Sequence, residues 1–421
     1  MRTRLLPLHA VTPSDARAWR RLADTAVEPN VYLDPRFLLP ARDRGHETDD
    51  LRLVVVEERG EWLALLAVTT KQIGLGVPVR AATTGGTFMT THSDRHHPLV
   101  RIGRETEALH ALLRGIRSSG LPGLVQLQHF PADGPLADAL ATIVGATSMR
   151  AHERRRVEAA CATRGSVPAP VPVPALVGAG APGLPTAPPG PVVVDPPLHH
   201  EHMGSGRRKD VRRRARALAR AAGGPLALHD VSADPAADDA FVALQASGWK
   251  GDAGQGGAAL ALDPVAQRWF REVVGAFRAD GDALVLRLDA GGCTQWTGYS
   301  LRSGGTYFGF LDAYAEEHRQ HSPGALGRLA EISYLFAATD APALDPAFDA
   351  RYVTGAQLYP DRRTYADVLV STGGVVARTA VRAAPVARRL GFGAGAVGMP
   401  LAPEHGAELE ELLRLLTAVG V

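Results

Sequence analysis

Between Arg164 and Pro197 the chain carries 11 prolines in 34 residues, with Gly and Ala between them. Proline at that density fixes φ, removes backbone donors and leaves no helical or strand period. The stretch therefore predicts an extended linker or surface insertion. It divides the 421-residue chain into an N-terminal part of about 160 residues and a C-terminal part of about 220, each within the usual size of a domain. Apolar residues make up 45% and charged residues 21%, a globular mix that lets each part bury its own core.

Charge and cysteine content exclude several classes. The net charge is +2, too small for a nucleic-acid coat or a polybasic membrane binder. Two cysteines, Cys161 and Cys293, cannot supply a disulfide framework or a Cys-rich zinc module. No apolar run reaches the length of a membrane helix. Met1 to Val11 has Arg2 and Arg4, but Pro7 and His9 break its apolar part, so it reads poorly as a signal peptide. The expectation is a soluble, cytoplasmic protein. Only Lys71, Lys209 and Lys250 are lysines, which gives each of them some added interest.

Both parts read as mixed α/β. In the first, Leu51–Val56 and Trp62–Thr69 are β-rich runs around Glu-Arg-Gly-Glu, a hairpin signal. Arg104–Arg117 places Leu109, Leu112, Leu113 and Ile116 at helical spacing, and Leu124–Leu127 and Leu136–Ile143 follow as strand and helix. In the second, helices are expected at Val211–Ala222, Ala240–Ser247 and Pro264–Ala279. Strands follow at Leu284–Leu288, Gln295–Leu301 and Thr306–Asp312, then an apolar helix at Ala325–Thr339, with further strands near Ala350–Val353 and Val368–Ser371. The order predicts α/β or α+β architecture around a central sheet.

Several motifs mislead. Gly178-x-Gly180-x-x-Gly183 fits a dinucleotide fingerprint by letter, but no strand precedes it and no helix follows. Gly391-x-Gly393-x-x-Ala396 runs into Pro400. His199, His200, Glu201 and His202 are too close in sequence to converge on one metal, so no metal is expected. No Gly-x-Ser-x-Gly elbow is present.

Two features carry more chemistry. From Arg207 to Arg220, eight positive charges fall in 14 residues on a predicted helix that Ser205 would cap. The run is either a solvated face or a salt-sensitive contact for phosphates, with tRNA among the partners considered. Ser322-Pro323-Gly324 opens the long apolar helix. Ser322 suits an N-cap, Pro323 the first helical position and Gly324 a close approach. A helix start offers unpaired amides and a positive dipole end, where a pyrophosphate binds. Arg319-x-x-Ser322-x-Gly324-Ala325 is a degraded relative of the Arg/Gln-x-x-Gly-x-Gly/Ala loop of acetyl-CoA enzymes.

Taken in order, these blocks resemble a family. Ser247-Gly248-Trp249-Lys250-Gly251 is followed by Phe270-Arg271-Glu272 to Phe277, then Tyr307-Phe308-Gly309-Phe310 to Tyr314, then Ser322-Pro323-Gly324. The basic block precedes them, Asp349 to Gly355 to Tyr359 closes the pattern, and Asn30-Val-Tyr-Leu-Asp-Pro-Arg-Phe looks like the opening motif. The pattern resembles the GNAT-type acyltransferases of the CelD-like cellulose-biosynthesis group, which are similar to the FemA/FemX transferases. It departs from the family at Ser322, where a glycine is usual, and at Pro360, where a lysine follows the tyrosine.

The resemblance implies two tandem GNAT-like domains, each a mixed central sheet flanked by helices. They would span 1–163 and a catalytic 198–375, separated by the linker 164–197 and followed by a helical extension 376–421. It also implies acyl transfer from acyl-CoA to the amine of a small molecule or amino sugar. Aminoacyl-tRNA-dependent amide formation, or a non-catalytic scaffold, are the alternatives. In that scheme Arg319, Ser322, Gly324 and Ala325 hold the donor. Asp312, Tyr359 and His318 are the catalytic candidates, and Trp249, Lys250 and Tyr314 bind the acceptor. Glu404–Val419 reads as an amphipathic helix packed on the second domain.

Overall fold

The computed structural model describes residues 1–74, 78–167, 192–193, 198, 201–348 and 352–389. Both Gly-x-Gly-x-x motifs, His199, His200, Asp349, Ala350 and the helix expected at Glu404–Val419 lie outside the described residues. The chain forms two compact units, divided after Glu158 and again after Arg362.

In the first unit, Arg2–Pro7, Arg52–Glu58 and Glu61–Gly74 pair antiparallel in sequence, with Pro78–Thr83 antiparallel beyond them. Arg59 and Gly60 form the two-residue hairpin turn, at φ 52° and 83°, the left-handed pair that matches the strand twist. Leu124–Pro131 joins parallel to Pro78–Thr83. The helix Pro13–Asp24 starts in a reciprocal Thr12/Asp15 capping box. Leu109, Leu112, Leu113 and Ile116 of the helix Glu105–Ser118 are buried with Val54, Leu66 and Val125, as their spacing predicts. Residues 365–371 of the strand Asp361–Ser371 pair antiparallel with Leu124–Pro131. The resemblance places that strand within 198–375; its pairing puts it in the first unit's sheet.

The second unit runs α1 (Ser205–Ala221), β1 (Leu226–Asp230), α2 (Ala236–Ala246), α3 (Pro264–Ala279), β2 (Ala283–Ala290), β3 (Cys293–Ser303), β4 (Thr306–Tyr314), α4 (Pro323–Ala338) and β5 (Ala343–Asp345). Strands β1 to β4 are antiparallel neighbours in order. β5 lies parallel to β4, and Ala162–Thr163 pair antiparallel with β5. Period-two alternation sends Leu284, Leu286 and Leu288 to one face, with Val211, Leu218 and Leu329 of α1 and α4. Val285 goes to the other face, with Phe241 and Phe270 of α2 and α3.

Three local expectations change. Gly204, not Ser205, stands at the N-cap of α1, and no side chain caps it. Val353 opens a one-turn helix, Val353–Ala356, instead of ending a strand. Ser322 does occupy the N-cap of α4, but at φ 57° and ψ 53° with no capping hydrogen bond. Its left-handed backbone turns the hydroxyl away from the first-turn amides.

Candidate functional site

β4 outruns its neighbour. β5 pairs with it at Tyr307 and Phe308, and among the described residues Phe310–Tyr314 have no strand partner on that side. The register against β3 jumps from Tyr299↔Leu311 to Ser300↔Gly309. That jump leaves Phe310 as a bulge, a feature that re-aims side chains. Gly309 is required there, because a Cβ would sit 2.7 Å from the Pro346 carbonyl oxygen.

A cavity of about 180 Å³ opens at this place, lined by Lys250, Asp312, Glu331 and Tyr359 among others. α4 supplies one wall. Arg328 and Glu331, three residues apart, share a face of it. Gly327 brings the helix onto the Trp296 ring, since a Cβ would meet Trp296 Cδ2 at 2.1 Å.

The polar groups interlock. The Arg328 guanidinium lies 2.8 Å from Asp312 Oδ2, and Trp296 Nε1 donates to the same oxygen at 3.1 Å. Arg328 also sits over the Phe348 ring, 4.3 Å from its centroid. Ser300 Oγ donates to Glu331 Oε1 at 2.6 Å. Burial, with Asp312's charge adding to it, pushes the Glu331 carboxyl up to about 7, while Ser300 and Arg328 pull it down. Burial, then Glu331's charge, also holds the Tyr359 hydroxyl well above the ordinary tyrosine range.

Of the residues expected from sequence, Asp312, Lys250 and Tyr359 meet at the cavity. Lys250 Nζ approaches the Asp312 backbone carbonyl at 3.5 Å. Tyr314 is not among the lining residues; its ring lies at the start of α4, 3.3 Å from where a Gly324 Cβ would stand, and burial raises its hydroxyl pKa. Trp249 is 48% exposed and does not line the cavity. His318 is also off the lining, with Nδ1 bonded to Gln295 Oε1 at 2.8 Å. Arg319 is exposed and pairs with Glu316 at 3.3 Å.

The helix start keeps its donors. The first α-helical bond of α4 runs from Leu326 to Ser322, which leaves the Gly324 and Ala325 amides without a partner four residues back. Arg214 of α1 donates to Ser322 Oγ at 2.5 Å, so a cation stands beside this dipole end. Arg207, Lys209, Arg212, Arg213, Arg216 and Arg220 face outward from α1, while Val211, Ala215 and Leu218 are buried.

Arg328, Glu331, Ser300 and Trp296 were not singled out from sequence. The visible signal was the pair Arg328 and Glu331 inside the otherwise apolar Ala325–Ala338 run. A charge held on an apolar helix face needs a partner. Among the described residues, no cluster of His, Cys, Asp or Glu has the arrangement of a metal site, and no helix is long and apolar enough to cross a membrane.

In this unit β4 runs on past its parallel neighbour, with a helix start beside the gap. The family model described as an acetyltransferase (GNAT) domain matches residues 205–339, from the start of α1 to just past α4. Residues 205–339 are thus similar to a GNAT acetyltransferase domain. Among solved structures, that of FemX superposes with a TM-score of 0.51 at 10% identity, covering 88% of this chain and 97% of that one. At this identity the likeness shows a shared fold. A tandem GNAT protein from the clavulanic acid biosynthesis pathway, at 14% identity and TM-score 0.38, covers 89% of this chain and 99% of its own. No curated protein matches the chain by sequence.

Proposed function

We propose that this chain moves an acyl group, acetyl first among the candidates, from acyl-CoA to the amine of a small molecule or amino sugar. One observation carries the reading. α4 begins with the Gly324 and Ala325 amides, which have no partner among the described residues, beside Arg214, and then presents Arg328 and Glu331 to the cavity. At about 1.5 Å of rise per residue, Ala325 and Arg328 are ~5 Å apart along the axis. Donor phosphates at the helix start and an acceptor amine in the cavity would thus meet along one element.

In this reading the Gly324 and Ala325 amides, Ser322 and Arg214 hold the donor phosphates, with Arg319 at the edge of the loop. Asp312 attracts the acceptor ammonium, and Lys250 holds an anionic group of the acceptor. Tyr359 stands to protonate the leaving thiolate. Trp249 and Tyr314 flank the approach. His318, tied to Gln295, has no support as the base. We keep the CelD-like placement on the order of the sequence blocks. We place the enzyme in the cytoplasm, where the exposed thiol of Cys293 stays reduced. The exposed basic face of α1 next to Ser322 favours a second reading, with aminoacyl-tRNA as donor. The open cavity weighs against a scaffold.

Calorimetric titration of acetyl-CoA and of free CoA tests the reading, with Ser322→Glu and Ser322→Gln compared. Both variants place a long side chain on the left-handed backbone, but only Glu repels phosphates. The expected result is binding weakened at least about tenfold by Glu relative to Gln, ~1.4 kcal/mol. Absence of binding to the wild-type chain would refute it and make charged tRNA the next titrant.

A further inference from the structure

We infer that Glu331 is the base that takes the proton from the acceptor's ammonium group, so that the cavity accepts a primary amine. The inference rests on the acyl-transfer reading and deepens it. The cavity holds two carboxyls, Asp312 and Glu331, and their surroundings separate their roles. Asp312 Oδ2 is engaged by both Arg328 and Trp296. Protonating Asp312 would leave the Arg328 guanidinium, 16% exposed, without its counter-charge. Among the described residues Glu331 has no ion pair to break. Its hydrogen-bond donor is the neutral Ser300 hydroxyl on Oε1, which fixes the side chain and leaves Oε2 without a hydrogen-bond partner among the described residues.

Position and proton affinity agree with that division. Glu331 stands seven residues into the helix from Gly324, about 10 Å along the axis from the proposed phosphate site. Burial brings its carboxyl to about 7, the range in which a general base is both present and effective at neutral pH. The charged or titratable groups that face it are Arg328 on its own helix, Asp312 on β4, Lys250 after α2, and Tyr359; Tyr299 of β3 turns to the other side of the sheet, where its hydroxyl donates to Asp238.

The chemistry balances. The ammonium gives one proton to the Glu331 carboxylate. The freed nitrogen lone pair forms the C–N bond to the thioester carbonyl carbon. The tetrahedral oxyanion collapses and the C–S bond breaks. The thiolate takes a second proton from the nitrogen, directly or through the Tyr359 hydroxyl, and Glu331 releases its proton to solvent. The products are amide, thiol and one proton.

Two measurements on the full chain decide the matter. The first is thiol release from acetyl-CoA with ethylamine as probe acceptor, across pH, for wild type, Glu331→Gln and Glu331→Asp. The second is an infrared titration of glutamate carboxyls in labelled protein, which needs no turnover. Wild-type turnover should fall as pH drops through about 7. Glu331→Gln should lower kcat/KM by about a hundredfold or more and lose that limb, leaving only the amine's own titration. Acetyl-CoA binding should be unchanged, and Glu331→Asp should restore part of the rate. The infrared band titrating near neutrality should vanish in Glu331→Gln. The inference is overturned if the Gln variant keeps both rate and limb, or if Glu331 titrates with ordinary glutamates. Failure of acetyl-CoA to bind any of the three proteins would instead overturn the acyl-CoA reading, and the infrared result would still report on Glu331.

Discussion

Asp312 and Arg328 form the ion pair on which the cavity wall depends, and a double-mutant cycle measures how much. Their side chains are 22% and 16% exposed, and the closest N···O distance is 2.8 Å. Asp312→Asn keeps the volume but removes the charge. It leaves the guanidinium over Phe348 without a counter-charge, and Trp296 and Arg328 compete for one amide oxygen. Breaking a buried pair from one side costs about 3–5 kcal/mol. Partial exposure here brings the expected loss to about 2–3 kcal/mol, since solvent screens part of it. Arg328→Met should cost a similar amount, because Asp312 then keeps only the Trp296 donor. The double variant has no buried charge left unpaired, so its cost should fall below the sum of the singles by about 1–2 kcal/mol. One kcal/mol shifts the melting point of a unit of this size by about 2–4 °C. Each single variant should then melt ~4–12 °C lower in scanning calorimetry of the whole chain, in the transition of the second unit alone. Two singles that each lose under about 1 kcal/mol, or costs that simply add, would refute the argument and mark the pair as a solvated surface contact.

Two further outcomes follow from the same elements. The Glu331 carboxyl is raised in the fold from its ordinary 4.5 to about 7, so the folded chain binds the proton more tightly than the unfolded one. Stability from this source is full below pH 4.5 and is lost as pH rises through about 7, a change of roughly 3 kcal/mol. Glu331→Gln should remove that slope in urea unfolding at acidic and alkaline pH; equal slopes in both proteins would contradict it. Gly327→Ala should destabilise the fold by about 1–3 kcal/mol, because its Cβ would lie 2.1 Å from the Trp296 ring. Gly275→Ala in α3, where a Cβ meets nothing within 4 Å, should instead gain up to about 1 kcal/mol. Thermal unfolding of the two variants should move in opposite directions.

What sequence could read, and what it could not, divides along the range of the interactions involved. Pro264–Ala279 is a helix with the bounds expected for it, because the Asp263 cap, Pro264 and the apolar period are all local. The Arg59-Gly60 hairpin is local in the same way. The strand Arg150–Thr163 has no such signature. Its run of Glu153, Arg154, Arg155 and Arg156 shows no alternation, and partners distant in sequence make it a strand. Ser322 fails more instructively. Serine at an N-cap is a sound local rule, yet the turn out of Glu316–His321 forces a left-handed backbone that glycine tolerates best. A glycine at this place would adopt the conformation of this chain's serine with less strain.

The site repeats the pattern. Ser322, Gly324 and Asp312 announce themselves through a helix start and a strand end. Glu331 does not, because its meaning comes from Ser300, 31 residues earlier, and from a cavity that exists only where β4 outruns β5. Yet the chain does carry a trace of it. Between Ala325 and Ala338 the helix holds two charged residues, Arg328 and Glu331, among apolar neighbours. Neither is solvated, since Arg328 is 16% exposed on its side chain and Glu331 7% overall. Two buried charges of opposite sign on one helix face invite the assumption that they pair with each other. Here Arg328 pairs with Asp312 instead, which leaves Glu331 to a neutral hydroxyl. That division of partners lets one helix hold a fixed charge and a proton acceptor side by side.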